Sequence, residues 1–267
     1  KRQLMAIQRL PVEKWAAKAL NEKNPGKRTY VLLSLAKASG IDPFHRKESD
    51  PPVDLQMGKR IIRSLLQINW DELNSSERMA MIRAYQVAMV RFGKPSPQTL
   101  EKIIVQLDPQ FPSQSFEMNW LLCETLSFLE APSVATKAMA LLNESPTQEE
   151  QMEYARSLRT LKTGWTDELR KQYFNWFLKA ANYRGGASFS KFIEFIRTDA
   201  VASLSPEKKE DFAGLLAKKA VQKSPAETMA EAMAGRTFVK NWEMEALSES
   251  ASKGLKERNF ESGRKMF

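Results

Sequence analysis

One histidine and one cysteine are the only side chains in this sequence able to act as an imidazole base or a thiolate nucleophile. They lie far apart, His45 in GIDPFHRKESDPPVD and Cys123 in WLLCETL. A nucleophile needs its base within hydrogen-bond reach and a third group to orient that base. Cys123 falls in an apolar helical pattern, where a thiol behaves as a small hydrophobic side chain. His45 stands beside Arg46 and Lys47 in a polar stretch, where an imidazole is solvated. Paired carboxylates occur at Glu149-Glu150 and Asp167-Glu168. Both pairs open expected helices, where acids answer the positive end of the helix dipole, so neither reads as a hydrolase dyad. Neither GxxxxGK[ST] nor GxGxxG occurs. The expectation is a chain with no catalytic residue, no metal ligand set and no cofactor-binding motif.

Basic residues are the remaining chemistry. Lysine and arginine number 41 against 32 aspartates and glutamates, a net charge of +9. Such a balance favours acidic partners: nucleic acid, anionic lipid or an acidic protein face. Arg156, Arg159 and Lys162 share one helix face, and Arg184, Lys191 and Arg197 follow nearby. These six form a candidate basic docking face. Two uses of it stay open, docking of an acidic protein partner and tracking of a phosphate backbone. A merely solvated helix face is the third alternative.

The elements that must position these residues follow from hydrophobic period. The 267 residues, 42% hydrophobic and 27% charged, suffice for one extended domain or two compact ones. A single cysteine excludes an intrachain disulfide, and no apolar run approaches the roughly 18 residues of a membrane span. The chain opens on Lys1 and reads as a piece of a longer protein.

Residues 116–197 organise the rest. They read as five amphipathic helices joined by short turns, with stripes such as Leu122, Leu126, Leu129 and then Leu169, Tyr173, Trp176, Phe177. Phe189, Phe192, Ile193, Ile196 and Ala200 give the cleanest stripe, expected to face inward. Capping boxes are expected at Asn74/Glu77, Thr147/Glu150 and Ser224/Glu227, and Ser96 is expected to cap a short helix. Three prolines and mixed charge mark residues 40–54 as a long exposed loop. No alternating β-branched run survives. The fold expected is all-α, a HEAT/armadillo-like α-solenoid of antiparallel helix pairs. Its parts would be N-terminal helical repeats over 1–107, core repeats over 108–222, and C-terminal helices over 223–267 leading into a downstream domain.

The stretches LLCETLSFLEAPSVATKAMALL, TQEEQMEYARSLRTLKTGWT and YFNWFLKAANYRGGASFSKFIEFIRTDAVASLS, then FVKNWEMEAL and RNFESGRKMF, carry a resemblance. They are similar to a helical-repeat region of large multidomain proteins of planctomycetes and related bacteria. In such proteins the region lies between a dehydrogenase-like β-propeller and a C-terminal c-type cytochrome domain. The resemblance implies a non-catalytic scaffold or connector that positions redox domains and docks a protein partner. It places haem c in the parent beyond Phe267, with none in this chain, and implies a periplasmic or secreted setting. The alternative from the residues alone is a nucleic-acid-binding or other polyanion-binding α-solenoid.

Overall fold

The computed structural model describes residues 2–221, 224–234, 241, 243–252, 259 and 261. Every regular element among them is helical and none is a strand, so the protein is all-α. Two compact units divide the chain, Lys1–Gln222 and Lys223–Phe267. The first holds α1 (Arg2–Ile7), α2 (Ala16–Leu20), α3 (Pro25–Ser39), α4 (Leu55–Leu66), α5 (Ser75–Phe92), α6 (Pro97–Leu107) and α7 (Phe116–Phe128). It continues with α8 (Val134–Glu144), α9 (Gln148–Leu158), α10 (Asp167–Ala180), α11 (Phe189–Ala202), α12 (Pro206–Asp211) and α13 (Ala213–Leu216). The second holds α14 (Pro225–Met233) and α15 (Met244–Ser252). Of the two C-terminal stretches carrying the resemblance, RNFESGRKMF lies almost wholly outside the described residues, as does the start of FVKNWEMEAL.

Local chemistry sets the helix starts. Asn74 accepts from the Glu77 N–H at 3.1 Å while Glu77 accepts from the Asn74 N–H at 2.9 Å, satisfying two donors that a first turn leaves orphaned. The same reciprocal pair joins Ser224 and Glu227. At α9 only half of the box forms, Thr147 accepting from the Glu150 N–H at 3.3 Å. Ser96 departs from expectation. Its hydroxyl lies 3.0 Å from that of Thr99 and caps no backbone N–H, so α6 starts instead on the preset φ of Pro97.

Helices in the first unit pack on their next-but-one neighbours. The series α3, α5, α7, α9 and α11 is in contact at each step, as are α2 with α4, α4 with α6 and α8 with α10. Side chains give the sense of several steps. A Cβ at Gly26 would lie 2.0 Å from Glu77 Oε1, which places the start of α3 on the start of α5. Arg91 near the end of α5 donates to the Gly40 carbonyl just past α3 at 2.7 Å, so the two helices run in the same direction. The start of α4 meets the end of α5, where Gly58 abuts Phe92.

Between these helices lies one hydrophobic core running from Trp15 to Phe212. Leu32, Leu35, Ile61, Leu65, Ile82, Leu122, Leu126 and Leu158 are fully enclosed in it. Each such side chain stabilises by roughly 1.5–3 kcal/mol relative to exposure. On α11 the stripe is narrower than its period suggests. Ile193, Ile196 and Ala200 are buried, but Phe192 is 40% exposed. Residues one apart on a helix differ by about 100° in direction, so neighbours on one side only can cover Ile193 and leave Phe192 at the edge.

Two turns touch. The short link from α7 to α8 places Glu130 at φ 60°, and its carboxylate accepts from the N–H groups of Lys162 at 3.0 Å and Thr163 at 3.1 Å. The Thr163 hydroxyl donates back to the Glu130 carbonyl at 2.9 Å. Gly164 follows at φ +71°, and a Cβ there would stand 2.1 Å from the Pro132 carbonyl oxygen. Only glycine satisfies both the conformation and the closeness. Residues 40–54 form an outward segment around a 3-10 turn at Pro43–His45 capped by Asp42, with Phe44 95% exposed. Among the described residues no helix is long and apolar enough to cross a membrane.

Candidate functional site

The six basic residues divide into two sets. Arg156, on α9, donates from Nε to Glu153 at 2.9 Å and from Nη2 to Glu124 of α7 at 3.2 Å, its guanidinium 5.9 Å from the Trp120 ring. Arg159 donates to Asp199 of α11 at 3.0 Å and to the Arg156 carbonyl at 2.5 Å. Arg197 donates to the Leu216 carbonyl at 2.5 Å, fastening α11 to α13. All three are internal fasteners between helices. A guanidinium committed to a neighbouring helix is a poor anchor for an outside anion, because rearranging it leaves a carboxylate or carbonyl unpaired.

The other three are exposed. Lys162 follows α9 and lines a cleft of about 510 Å³ with Lys94, Phe128 and Asp199. Arg184 sits by the start of α9, its N–H donating to Gln148 at 3.1 Å. Lys191 lies in the first turn of α11. The 11-residue helix α9 separates Lys162 from Arg184 by roughly 16 Å of rise. These cations therefore belong to opposite ends of a helix, at a spacing that suits separate contacts better than one pocket.

What the sequence reading missed is the polar seam that consumes the first set. Gln86 on α5 donates to Glu124 at 3.2 Å and to Thr125 at 2.9 Å, both on α7. Glu124 then receives Arg156 of α9, and Arg159 reaches Asp199 of α11. The seam crosses four helices, α5, α7, α9 and α11. Only the i,i+3 spacing from Arg156 on α9 to Arg159 at its C-terminal cap is visible in sequence. A second polar centre is Gln151, buried under α10. Its side-chain oxygen accepts from the Trp176 indole N–H at 3.1 Å and from the Tyr183 hydroxyl, and its amide donates to the Ser145 carbonyl at 2.8 Å.

Reactive groups sit where they cannot react together. Cys123 is fully buried in α7, and burial pushes its thiol up to about 12. His45 lies on the outward 40–54 segment with its side chain 83% exposed, 3.7 Å from Asp42. A thiol held protonated is neither nucleophile nor metal ligand. Covalent haem c requires two cysteines beside a histidine, and these residues do not fit it. Arg170 is buried and makes no ion pair among the described residues, stacked 4.1 Å from the Trp165 ring and donating to the Leu161 carbonyl at 3.1 Å. Desolvation lowers it to about 10. Tyr173, Trp176 and Phe177 are enclosed, with ring centroids 5.0–5.1 Å apart. Among the described residues no group of three or more histidines, cysteines or acids converges as a metal site.

Compared with protein-family models, curated proteins and solved structures, the chain matches none.

Proposed function

We propose that this chain is a non-catalytic scaffold, an α-solenoid of antiparallel helix pairs that holds flanking domains in relation and docks an acidic protein partner. The observation that carries the reading is the next-but-one packing from α3 to α11, tied across four helices by the seam from Gln86 to Asp199. In a stack of helix pairs each unit needs only its neighbours, so a long surface stays available for partners. The pairing of Tyr173 with the Ala155 carbonyl at 2.6 Å and of Trp176 with Gln151 supports α9 and α10 as one antiparallel pair. The planctomycete resemblance supplies the context, a dehydrogenase-like domain before the chain and a c-type cytochrome after it. In this reading the chain contributes geometry, and the redox chemistry belongs to its neighbours.

Association in trans tests it. The domains encoded on either side are produced separately, mixed with this chain and sedimented together. Both should co-sediment with it, while the chain alone shows no haem absorbance and no turnover. Failure of both to associate overturns the scaffold reading. Oligonucleotide binding that collapses steeply with added salt would favour a polyanion-binding solenoid instead.

A further inference from the structure

Between α4 and α6 lies a cleft of about 460 Å³ whose chemistry the scaffold reading does not use. Its floor is apolar: Ile62 and Phe92 are nearly enclosed, with Leu66 half-buried. Its rim is cationic. Lys59 and Arg63 on α4 and Lys102 on α6 are exposed lining residues, and among the described residues no acidic side chain lines this cleft. Arg156, Arg159, Lys137 and Lys208 pair with carboxylates. Lys59, Arg63 and Lys102 make no ion pair among the described residues.

Lys59 and Arg63 are four apart, so both stand on one face of α4, where like charges repel by a few tenths of a kcal/mol. Lys94 also lines the cleft but turns its ammonium to the Phe128 carbonyl at 3.2 Å, leaving the anion-facing role to the other three.

The cleft continues. A second hollow between the same helices shares Leu66 and Lys102 and adds Val105, which is 69% exposed. Leu55, 57% exposed, stands at the other end. Apolar groups therefore track along the groove from Leu55 through Ile62 and Leu66 to Val105, with cations along the edge. Glu101 lines only the second hollow, so the positive end is the one bearing Lys59 and Arg63. α4 and α6 end together, Gln106 donating to the Ile68 carbonyl at 2.9 Å.

The geometry points to a docking groove for an acidic amphipathic segment of a partner protein, its apolar side chains on the Ile62–Leu66–Val105 track and its carboxylates on Lys59, Arg63 and Lys102. Charge complementarity selects the sign of the guest. The apolar floor and the elongated outline select its form: a free phosphate has nothing to place on Ile62 or Leu66, and a flat bilayer cannot reach side chains as enclosed as Ile62 and Phe92. A helix laid in a groove, with apolar groups at i, i+3, i+4 and i+7, meets both demands. The inference deepens the scaffold reading and rests on it for the partner being a protein.

The test uses the full chain and a fluorescein-labelled amphipathic helical peptide bearing leucines at i, i+3, i+4 spacing with flanking glutamates. Two further probes are the same peptide with every glutamate replaced by lysine, and phosphatidylcholine vesicles containing phosphatidylglycerol. The glutamate peptide should bind saturably, and more tightly than either the lysine peptide or the vesicles. Arg63→Glu with Lys102→Glu should weaken it roughly tenfold and bring a comparable gain for the lysine peptide. Both positions are exposed, so the double variant should keep the wild-type melt, checked by circular dichroism. Equal binding of the two peptides to wild type, no exchange of preference in the double variant, or tighter binding to vesicles than to peptide each overturns the proposal. Flanking-domain association is read on the wild-type chain alongside peptide binding. If it persists while peptide binding is absent, the groove fails and the scaffold stands; if it is absent while the groove binds, the reverse holds.

Discussion

Arg156 and Glu124 lie on helices separated by a whole intervening helix in sequence, yet their side chains meet at 3.2 Å with each about a quarter to a third exposed. Glu124 uses its other oxygen to receive Gln86 at 3.2 Å. One carboxylate thus sets the register of three helices, α5, α7 and α9. Partial exposure moderates the attraction, since solvent screens such pairs.

A double-mutant cycle measures that link. Arg156→Ala and Glu124→Ala should each lower stability, with a coupling of about 0.5–1 kcal/mol that shrinks as salt is added. Urea titration of the four proteins gives the number. Strict additivity would mean that the seam is ornamental.

Gln151 offers a sharper test of a buried polar centre. Gln151→Leu removes the acceptor of the Trp176 indole, which is 5% exposed, and leaves that N–H without a partner. The loss should be roughly 1–3 kcal/mol, read from thermal unfolding followed by tryptophan fluorescence. Gln151→Glu keeps an acceptor and should cost less when its carboxyl is protonated at acidic pH.

Gly58 sets two effects against each other. Alanine is the better helix former by about 1 kcal/mol, but its Cβ would lie 2.5 Å from the Cβ of Phe92. A Cβ is fixed to the backbone, so α4 and α5 must separate, and overpacking of that kind costs typically 1–3 kcal/mol. Gly58→Ala should therefore be net destabilising. A raised melting temperature would show that the two helices yield easily.

Alkaline pH should loosen the fold. Burial pushes the Cys123 thiol and the Tyr154 phenol each up to about 12, and raises Tyr85 and Tyr173 as well. In the unfolded chain these groups ionise near ordinary values of about 8.5 for the thiol and 10 for phenols. Their contribution is thus fully present below those values and lost as pH rises toward about 12. Arg170, lowered to about 10, acts in the opposite sense above that pH and offsets part of the loss. Urea midpoints should fall steadily above about pH 9, and Cys123 should react with a thiol reagent only as fast as the protein unfolds. A flat alkaline limb, or rapid labelling of the folded protein, would contradict this.

The helical class was legible because apolar residues recur at the helical period throughout, and the Asn74/Glu77 and Ser224/Glu227 boxes were legible because their partners are three residues apart. What failed was anything decided between helices. Phe192 and Ile193 both fit an inward stripe, and only the neighbours of α11 choose between them. Arg156 and Glu124 are 32 residues apart, so no local spacing announces their pairing, and Arg156 reads in sequence as a free cation. The α4–α6 groove escaped for the same reason. Lys59 and Arg63 are visible as a pair, but Lys102 joins them only once α4 and α6 lie side by side.

The outward segment over 40–54 separates chain length from fold. Its entry is pinned by Arg91 on the Gly40 carbonyl and its exit by Asp54 capping Gln56 and Met57, while α3 and α4 pack directly on each other. The two ends are held in place whatever runs between them. Loop entropy grows only logarithmically, about 0.6 kcal/mol for each doubling. A folded insert, a fluorescent reporter or a protease site spliced between Lys47 and Asp50 would then ride on the first unit as a passenger, a natural port for grafting new modules onto the chain.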